Sequence, residues 1–336
     1  MLSYKKVFDP KTTEDFAPRV AKKGGVKGPA QVGDRRDGFV YVYDEEIILA
    51  VNVALTTKRP LLVRGPSGSG KSSLARNVAR FFKWRYYEDV ISSRTQARDL
   101  LWVFDTLRRL SDAQTDVGVK ADVHYIQPGI LWWAFDRESA KRRGLSAAEL
   151  SRTFTPKEAK SFLAIDPNKG DEHEQAVVLL DEIDKADPDT PNNLLVPLGS
   201  LQFFVPEAKA LVEATRAPLV IITSNDEREL PTAFLRRCIM LNLQAPSRAR
   251  LVEIAQAHFG EKHLDLYKLL ARRMTTRPKG ENAADGASKP QPSAAEFLDT
   301  VRACLELEIN PQARGKTWQA LSKATLWKPR ETDGAL

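Results

Sequence analysis

The stretch GPSGSGKS at residues 65–72 decides the fold, because it matches the pattern G-x-x-x-x-G-K-[ST] at every position. Glycines allow such a loop to wrap closely around a phosphate group, with backbone N–H groups pointing inward. The apolar segment 61–63 before it predicts a buried strand, and the residues from Ser72 to Phe82 predict a helix. A strand, a glycine-rich loop and a helix in this order predict a phosphate site at the positive end of the helix dipole.

Two side chains of this loop bring specific chemistry. Lys71 is expected to reach the β- and γ-phosphates of a nucleotide, and the Ser72 hydroxyl is expected to bind Mg²⁺. The predicted nucleotide-binding residues of the loop are Gly65, Pro66, Ser67, Gly68, Ser69, Gly70, Lys71 and Ser72. The alternative is a glycine-rich turn with an incidental lysine, and the flanking strand and helix disfavour it. A nucleoside triphosphate with Mg²⁺ is therefore predicted at this loop, and ATP is preferred to GTP because of the missing guanine-reading motif described below.

A second apolar strand, 176–180, ends in two carboxylates. Asp181 is expected to hold the Mg²⁺ shell, and Glu182 to orient and deprotonate the attacking water. A buried strand with a charged turn is the alternative for this stretch alone. Its place on a sheet that already has a phosphate loop favours the catalytic interpretation.

Polar and basic side chains follow the next apolar strand, 219–223. Asn225 is expected to hold the water or the γ-phosphate, and the alternative is an ordinary turn residue. Arg236 and Arg237 end a short helical segment, and either is a candidate for an arginine that stabilises transition-state charge, with Arg237 preferred. In a ring, that arginine would act on the phosphate of the neighbouring subunit. The alternative is a solvated face or a structural pair.

Short apolar strands alternate with helices as far as residue 246, which predicts an α/β fold with a parallel sheet covered on both faces. Beyond it the pattern is helical, over 248–258, 264–274, 293–307 and 317–327. The predicted domains are a basic flexible arm (1–40), a three-layer αβα nucleotide-binding core (41–247) and a small all-α domain (248–330). The core contains a predicted helix at 95–110 and a charged insertion at 137–175, while the apolar run with Trp132 and Trp133 is predicted to be core or interface.

Composition excludes several classes of protein. The chain has 336 residues, 42% of them hydrophobic and 28% charged, which excludes fibrous and wholly disordered proteins. Cys238 and Cys304 are too few for a disulfide framework or a four-ligand zinc site. No apolar run approaches the ~18 residues of a membrane span, and the N-terminus lacks a signal-peptide pattern, so a cytoplasmic location is expected. The formal net charge of +7 leaves nucleic acid, an acidic partner or no specific partner open.

In their order, these motifs resemble those of AAA+ ATPases, and within them the MoxR-like group of the helix-2-insert clade. The resemblance covers roughly residues 40–330. It is carried by GPSGSGKS (65–72), VVLLDEIDKADP (177–188), VIITSNDERELPTAFLRRC (220–238) and KPQPSAAEFLDTVRA (289–303). The resemblance implies a P-loop NTPase core followed by a helical lid.

The resemblance also assigns roles to individual residues. Lys71 and Ser72 correspond to Walker A, Asp181 and Glu182 to Walker B, Asn225 to sensor 1 and Arg237 to the arginine finger. A sensor 2 residue belongs near the start of the third lid helix, where Lys289 is the nearest basic residue. The helix-2 hairpin would correspond to about Asp105–Pro128.

The function that the resemblance implies is an ATP-driven remodeller. It would act as a homo-oligomeric ring, expected to be a hexamer, on a protein client or adaptor such as a von Willebrand factor A-domain protein. Three alternatives stay open: a motor or loader stimulated by nucleic acid, a small-molecule kinase, and a GTPase. The last is disfavoured because no N-K-x-D motif follows the Asp181 strand.

Overall fold

A computed structural model of the chain describes residues 4–11, 39–115, 118–275, 292–311 and 315–326. The chain forms two compact units. The first comprises Met1–Pro10, Glu45–Arg64 and Ala75–Leu241, and the second comprises Lys11–Asp44, Gly65–Leu74 and Asn242–Leu336. Within the described ranges, no helix is both long and apolar enough to cross a membrane.

The described strands form one five-stranded sheet and two small two-stranded sheets. They are β1 (Leu61–Arg64), β2 (Arg85–Val90), β3 (Trp102–Phe104), β4 (Ile126–Pro128), β5 (Ala176–Asp181), β6 (Gln202–Val205), β7 (Ala210–Glu213), β8 (Leu219–Ser224) and β9 (Ile239–Asn242). The large sheet has the order β2-β5-β8-β1-β9, while β3 pairs with β4 and β6 with β7.

Helices precede, separate and follow these strands. They are α1 (Glu45–Thr57), α2 (Lys71–Phe82), α3 (Thr106–Gln114), α4 (Ile130–Phe135), α5 (Arg137–Lys141), α6 (Ala147–Thr153), α7 (Pro156–Phe162), α8 (Asp189–Asn193), α9 (Leu195–Ser200), α10 (Thr232–Leu235), α11 (Arg248–Phe259), α12 (Leu264–Thr275), α13 (Ala294–Glu306) and α14 (Lys316–Thr325). Together with the sheet they confirm the predicted α/β fold, a parallel sheet with flanking helices followed by C-terminal helices.

The three central strands of the large sheet are short, apolar and almost wholly buried. Strand β8 lies between β5 and β1 and pairs with both in parallel. Because parallel strands end at the same edge of a sheet, the last residues of β1, β5 and β8 lie side by side at one edge. Arg64, Asp181 and Ser224 mark this edge.

Helix α4 supplies the largest buried side chains of the first unit. Trp132 and Trp133 are 0% and 2% exposed and belong to the same apolar cluster as the inner residues of β5. Of the two predicted alternatives, core and interface, the structure supports core.

The predicted helix at 95–110 is wrong in its first part. Residues 102–104 instead form β3, which pairs antiparallel with β4, and the Asp105 side chain caps α3 by accepting a hydrogen bond from the N–H of Arg108. Only Leu107 and Leu110 of the apolar positions lie in a helix, and they are 80% and 56% exposed. Pairing with a distant strand therefore overrides the local spacing.

The predicted flexible arm at 1–40 is corrected at its beginning. Phe8 is fully buried, and the Asn52 side chain accepts hydrogen bonds from the N–H groups of Val7 and Phe8 and donates one to the Phe8 carbonyl. This short segment packs because one aromatic ring and one amide anchor it, although the surrounding composition is polar. Residues 12–38 lie outside the described part of the chain.

The charged insertion at 137–175 contains three short helices, α5 to α7, whose N-terminal N–H groups are capped by Asp136, Ser146 and Thr155. Its last residues are tied to the sheet by Arg85, which is buried and donates to the carbonyl oxygens of His173 and Glu174. The predicted surface helix and loop is thus a set of capped helices with a fixed end.

The β6–β7 hairpin was not among the sequence predictions. Its alternate residues Phe203, Val205 and Val212 are buried, while Phe204 and Leu211 stand opposite each other on the exposed face. Short strands of period two are easily missed in a stretch that also contains polar residues.

The C-terminal helices of the second unit, α11 to α14, agree with the predicted helical segments. They share an apolar core that includes Leu251, Tyr267, Phe297 and Trp318. Cys304 is buried in this core, and burial raises the pKa of its thiol to about 11, so it behaves as an apolar residue.

Candidate functional site

The first unit contains a network of polar side chains at the ends of β5 and β8. The Thr223 hydroxyl donates to Oδ1 of Asp181 and accepts a hydrogen bond from the N–H of Glu182 at 2.9 Å. Thr223 is fully buried, so its hydroxyl has a single position. One buried threonine therefore fixes both carboxylate-bearing residues.

Glu182 turns the chain away from β5 in a left-handed conformation, with φ 62° and ψ 49°. Its Oε1 accepts a hydrogen bond from Nδ2 of Asn225 at 3.2 Å, and its Oε2 accepts one from Nζ of Lys185 at 2.8 Å. The structure thus brings Glu182 and Asn225 together, as two residues that act on one water would require. The hydrogen bond to Glu182 raises the pKa of Lys185, which therefore stays protonated near neutral pH.

A third carboxylate fixes the loop that follows β8. Asp184 is 2% exposed and accepts hydrogen bonds from the N–H groups of Asn225, at 3.2 Å, and Glu227, at 2.9 Å. A buried carboxylate must be satisfied by donors, and these two N–H groups provide them. Asp184 therefore positions Asn225 through the backbone.

The sequence analysis missed Thr223, Asp184 and Lys185. Their positions did carry a signal, since Thr223 is the last residue but one of an apolar strand and Asp184 follows two acidic residues. A polar residue at the buried end of a strand has to find a partner there. The partner, however, lies about forty positions away and is visible only in the folded chain.

The second unit contains the glycine-rich loop. Gly68 has φ 72°, and a Cβ atom there would lie 2.5 Å from Oγ of Ser293, the residue that caps α13. Gly65 has φ 144°, and a Cβ atom there would lie 2.3 Å from the carbonyl oxygen of Leu243. Both positions therefore require glycine, for backbone conformation and for space.

Lys71 opens α2 and folds back over the loop. It is 6% exposed, and its Nζ donates to the carbonyl oxygens of Gly65 at 2.8 Å and Pro66 at 2.9 Å. Burial keeps this ammonium group within the loop rather than in bulk water. Its position matches a lysine that meets phosphates bound by the loop.

The hydroxyl of Ser69 is the observation in the loop that fits a bound phosphate. Its Oγ is buried and has no hydrogen-bond partner among the described residues. A buried hydroxyl without a partner costs about 1–3 kcal/mol, and a phosphate oxygen would remove that cost. Together with the ammonium group of Lys71, this hydroxyl makes the loop suited to the phosphates of a nucleotide.

An aromatic residue that the sequence analysis did not single out lies beside the loop. A Cβ atom at Gly70 would be 3.4 Å from Cε2 of Tyr41, and the ring of Tyr43 packs on Tyr41 with centroids 4.7 Å apart. Burial raises the pKa of Tyr41 above its usual value, so the phenol stays neutral. The backbone between the two tyrosines is held by Arg250, which donates to the carbonyl oxygen of Val42 at 2.6 Å.

The structure places Arg236 and Arg237 outside the carboxylate network. Both are exposed, and their guanidinium groups make no hydrogen bond or ion pair with any residue that the structure describes. Lys289, the predicted sensor 2 candidate, lies outside the described residues. Of the predicted catalytic residues, only Glu182 and Asn225 are in direct contact with each other.

The family model that matches the chain is the AAA domain (dynein-related subfamily), over residues 60–238, which is more than half of the chain. This range contains the glycine-rich loop, both carboxylates, Asn225 and the arginine pair. A search of curated proteins gives no match.

Among solved structures, the chain is similar to the crystal structure of a "putative ATPase" from Cytophaga hutchinsonii, with 12% identity and a TM-score of 0.39. The alignment covers 66% of this chain and 51% of that one, so the chain spans about half the length of the solved protein. A likeness this distant transfers no activity and no partner.

Proposed function

Because the chain belongs to the dynein-related subfamily of AAA domains, a family of nucleotide-binding ATPases, we propose that it hydrolyses ATP with Mg²⁺ in order to remodel a partner protein. The specific type we propose is a MoxR-like remodeller that works as a ring. The observation that carries the proposal is the network at the end of the sheet, in which Thr223 links Asp181 to Glu182 and Glu182 accepts a hydrogen bond from Asn225.

The chemistry follows from the position of each side chain. The glycine-rich loop continues from the carboxyl end of β1, and its N–H groups, Lys71 and the Ser69 hydroxyl would hold the phosphates. Ser72 and Asp181 would hold Mg²⁺, which supplies charge neutralisation for the phosphate oxygens when it is bound.

Hydrolysis needs a base and a group that orients water. Glu182 would accept the proton of the attacking water, and the Asn225 amide would hold that water in line with the γ-phosphate. Because Asp184 and Thr223 fix the backbone on either side of this pair, the two groups need little reorganisation before the reaction. Lys185 has to give up its hydrogen bond to Glu182 when the proton is taken.

Arg236 and Arg237 support the ring. Each is an exposed cation with no acidic partner among the described residues, so either has its charge available for a phosphate outside its own chain. We propose that Arg237 reaches the nucleotide of a neighbouring copy, which makes each active site composite. An arginine in this role contributes about 10³–10⁵ in rate.

The proposed client is a protein, either a substrate or an adaptor of the von Willebrand factor A-domain type. Helix α3 supports a protein contact, since no residue of it is buried and its two leucines, Leu107 and Leu110, are mostly exposed. Exposed apolar side chains on a helix suit another protein surface better than they suit nucleic acid.

The test combines the mass of the particle in solution, the rate of ATP turnover and the mixing of two inactive variants. Light scattering with and without a slowly hydrolysed ATP analogue should show the mass of a ring. Phosphate release should require Mg²⁺ and should be much faster with ATP than with GTP. Glu182→Gln and Arg237→Ala copies, each inactive alone, should regain activity when they are mixed, because some interfaces then combine an intact Glu182 with an intact Arg237. A monomer with full turnover at every concentration would refute the ring.

A further inference from the structure

The backbone that carries the arginine pair is held by another arginine, Arg59, which lies between α1 and β1. Its Nε donates to the carbonyl oxygen of Arg237 at 3.0 Å, and one of its terminal nitrogens donates to the carbonyl oxygen of Arg236. Among the residues that the structure describes, these two carbonyls are the partners of its guanidinium group. The contact joins positions that are 177 and 178 residues apart in the chain.

The end of α10 explains why two carbonyls are available there. The helix has four residues, and the N–H groups of Arg236 and Arg237 bond back to the carbonyls of Thr232 and Phe234. The carbonyls of Arg236 and Arg237 themselves lie at the end of the helix, where backbone acceptors have no helical donor. A planar guanidinium group presents two parallel donors and matches two adjacent carbonyls better than a lysine does.

The next residues extend the same attachment. The N–H of Ile239 donates to the carbonyl of Pro60 at 2.8 Å, so two consecutive positions of the α1–β1 loop, 59 and 60, bind positions 236, 237 and 239 after α10. On the inner side, Phe234 is fully buried and Cys238 nearly so. The backbone of 236–237 is therefore held by the α1–β1 loop on one side and by the buried residues Phe234 and Cys238 on the other, while the two arginine side chains remain exposed.

A fixed backbone matters for an arginine that acts on another molecule. A long side chain reaches its target reproducibly only when its Cα does not move, and a misplacement of about 1 Å can cost ~100-fold in rate. We propose that Arg59 is a positioning residue that directs Arg237 toward the nucleotide of the neighbouring copy. This inference rests on the proposed function, because it presupposes that Arg237 acts between subunits.

The proposal makes an asymmetric prediction in mixed rings. A Glu182→Gln copy donates its arginine but cannot hydrolyse, whereas an Arg237→Ala copy hydrolyses but donates no arginine. Adding Arg59→Lys to the Glu182→Gln copy, the donor of the arginine, should lower the restored phosphate release about tenfold, since lysine provides one point of contact instead of a fork. Adding the same change to the Arg237→Ala copy, the receiver of the arginine, should leave the restored rate unchanged.

Two further measurements keep the result interpretable. Arg152→Lys, an exposed arginine on α6, is the matched control and should have no effect on either side. The unfolding midpoint and the affinity for ADP should be unchanged in Arg59→Lys, and Arg59→Gln should repeat the asymmetry as a second variant.

The outcomes separate the two proposals. A loss only on the donor side supports positioning by Arg59. An equal loss on both sides, or no loss, overturns the role of Arg59 while the ring stands. If the parent pair shows no restored activity, the composite site itself is refuted, and the inference about Arg59 falls with it.

Discussion

The carboxylate network and the arginine pair lie in the same unit, yet they are built in opposite ways. At the ends of β5 and β8, Asp181, Glu182 and Asn225 have partners within the chain, and these partners are buried or partly buried. Beyond α10, the backbone is held firmly, but the guanidinium groups of Arg236 and Arg237 point to no described partner. The side chains of the first region have their partners within one chain, whereas the two guanidinium groups have no hydrogen-bonded or ionic partner among the described residues.

The largest effect is expected from removing the exposed guanidinium group of Arg237. Arg237→Ala should lower kcat by about 10³-fold with little change in stability, because the side chain contacts nothing described in its own chain. The measurement is steady-state phosphate release, with the thermal unfolding midpoint beside it. Arg236→Ala is the matched control and should cost less than about tenfold. A larger loss in the Arg236 variant would assign the role to the neighbour instead.

Replacing Glu182, the proposed base, tests the carboxylate network. Glu182→Gln should lower kcat by about 10²-fold or more, since general-base assistance has about this value, while nucleotide binding is retained. The amide preserves the shape of the side chain, so the hydrogen bond with Asn225 can be kept. Single-turnover hydrolysis and the dissociation constant of a fluorescent ATP analogue are the two measurements. Unimpaired turnover would remove Glu182 from the mechanism.

Thr223→Val tests whether the network, rather than the carboxylates alone, matters. The substitution leaves the N–H of Glu182 and Oδ1 of Asp181 without their partner, so the free energy of unfolding should fall by about 1–3 kcal/mol. We also expect kcat to fall about tenfold, because the base is less well fixed.

Thr300→Val is a suitable control for that variant, since Thr300 is equally buried but lies in α13 of the second unit. It should destabilise the chain without a comparable loss of kcat. Equal effects of the two variants on kcat would show that Thr223 acts only through stability.

The smallest effect is expected from Lys185→Met. Nζ of Lys185 donates a hydrogen bond to Oε2 of Glu182, and this bond has to be given up before the carboxylate can accept a proton from water. Removing the ammonium group should therefore raise kcat, by no more than about fivefold because the lysine side chain is 41% exposed and screened by water. Raising the ionic strength should reduce the difference between the variant and the parent. A fall in kcat would mean that Lys185 assists the reaction instead.

Local patterns made part of this fold and site predictable. The strand, glycine-rich loop and helix over 61–82 follow from contiguous residues, and so do β5 with its two carboxylates and β8 with Asn225. In each case a run of apolar residues fixes the strand, and the polar residues at its end follow by chain continuity. The two candidate arginines were identified differently, from their place at the end of a short helical segment.

Contacts between distant parts of the chain were not predictable in this way. Residues 102–104 have helical spacing but pair with β4, and Thr223 reaches Asp181 across 42 positions. The burial of Phe8 depends on Asn52, which the composition of the N-terminal segment does not reveal. These features depend on which surfaces meet, and a single sequence contains no periodic signal for that.

The left-handed backbone of Glu182 has a consequence for anyone who selects this protein for thermal stability. A residue with a Cβ atom in that conformation costs about 1–2 kcal/mol, whereas glycine adopts it freely. A selection for thermal stability alone should therefore enrich Glu182→Gly, a more stable variant that has lost its proposed base. Stability at this position is gained at the expense of turnover, so directed evolution of this chain has to select for both properties at once.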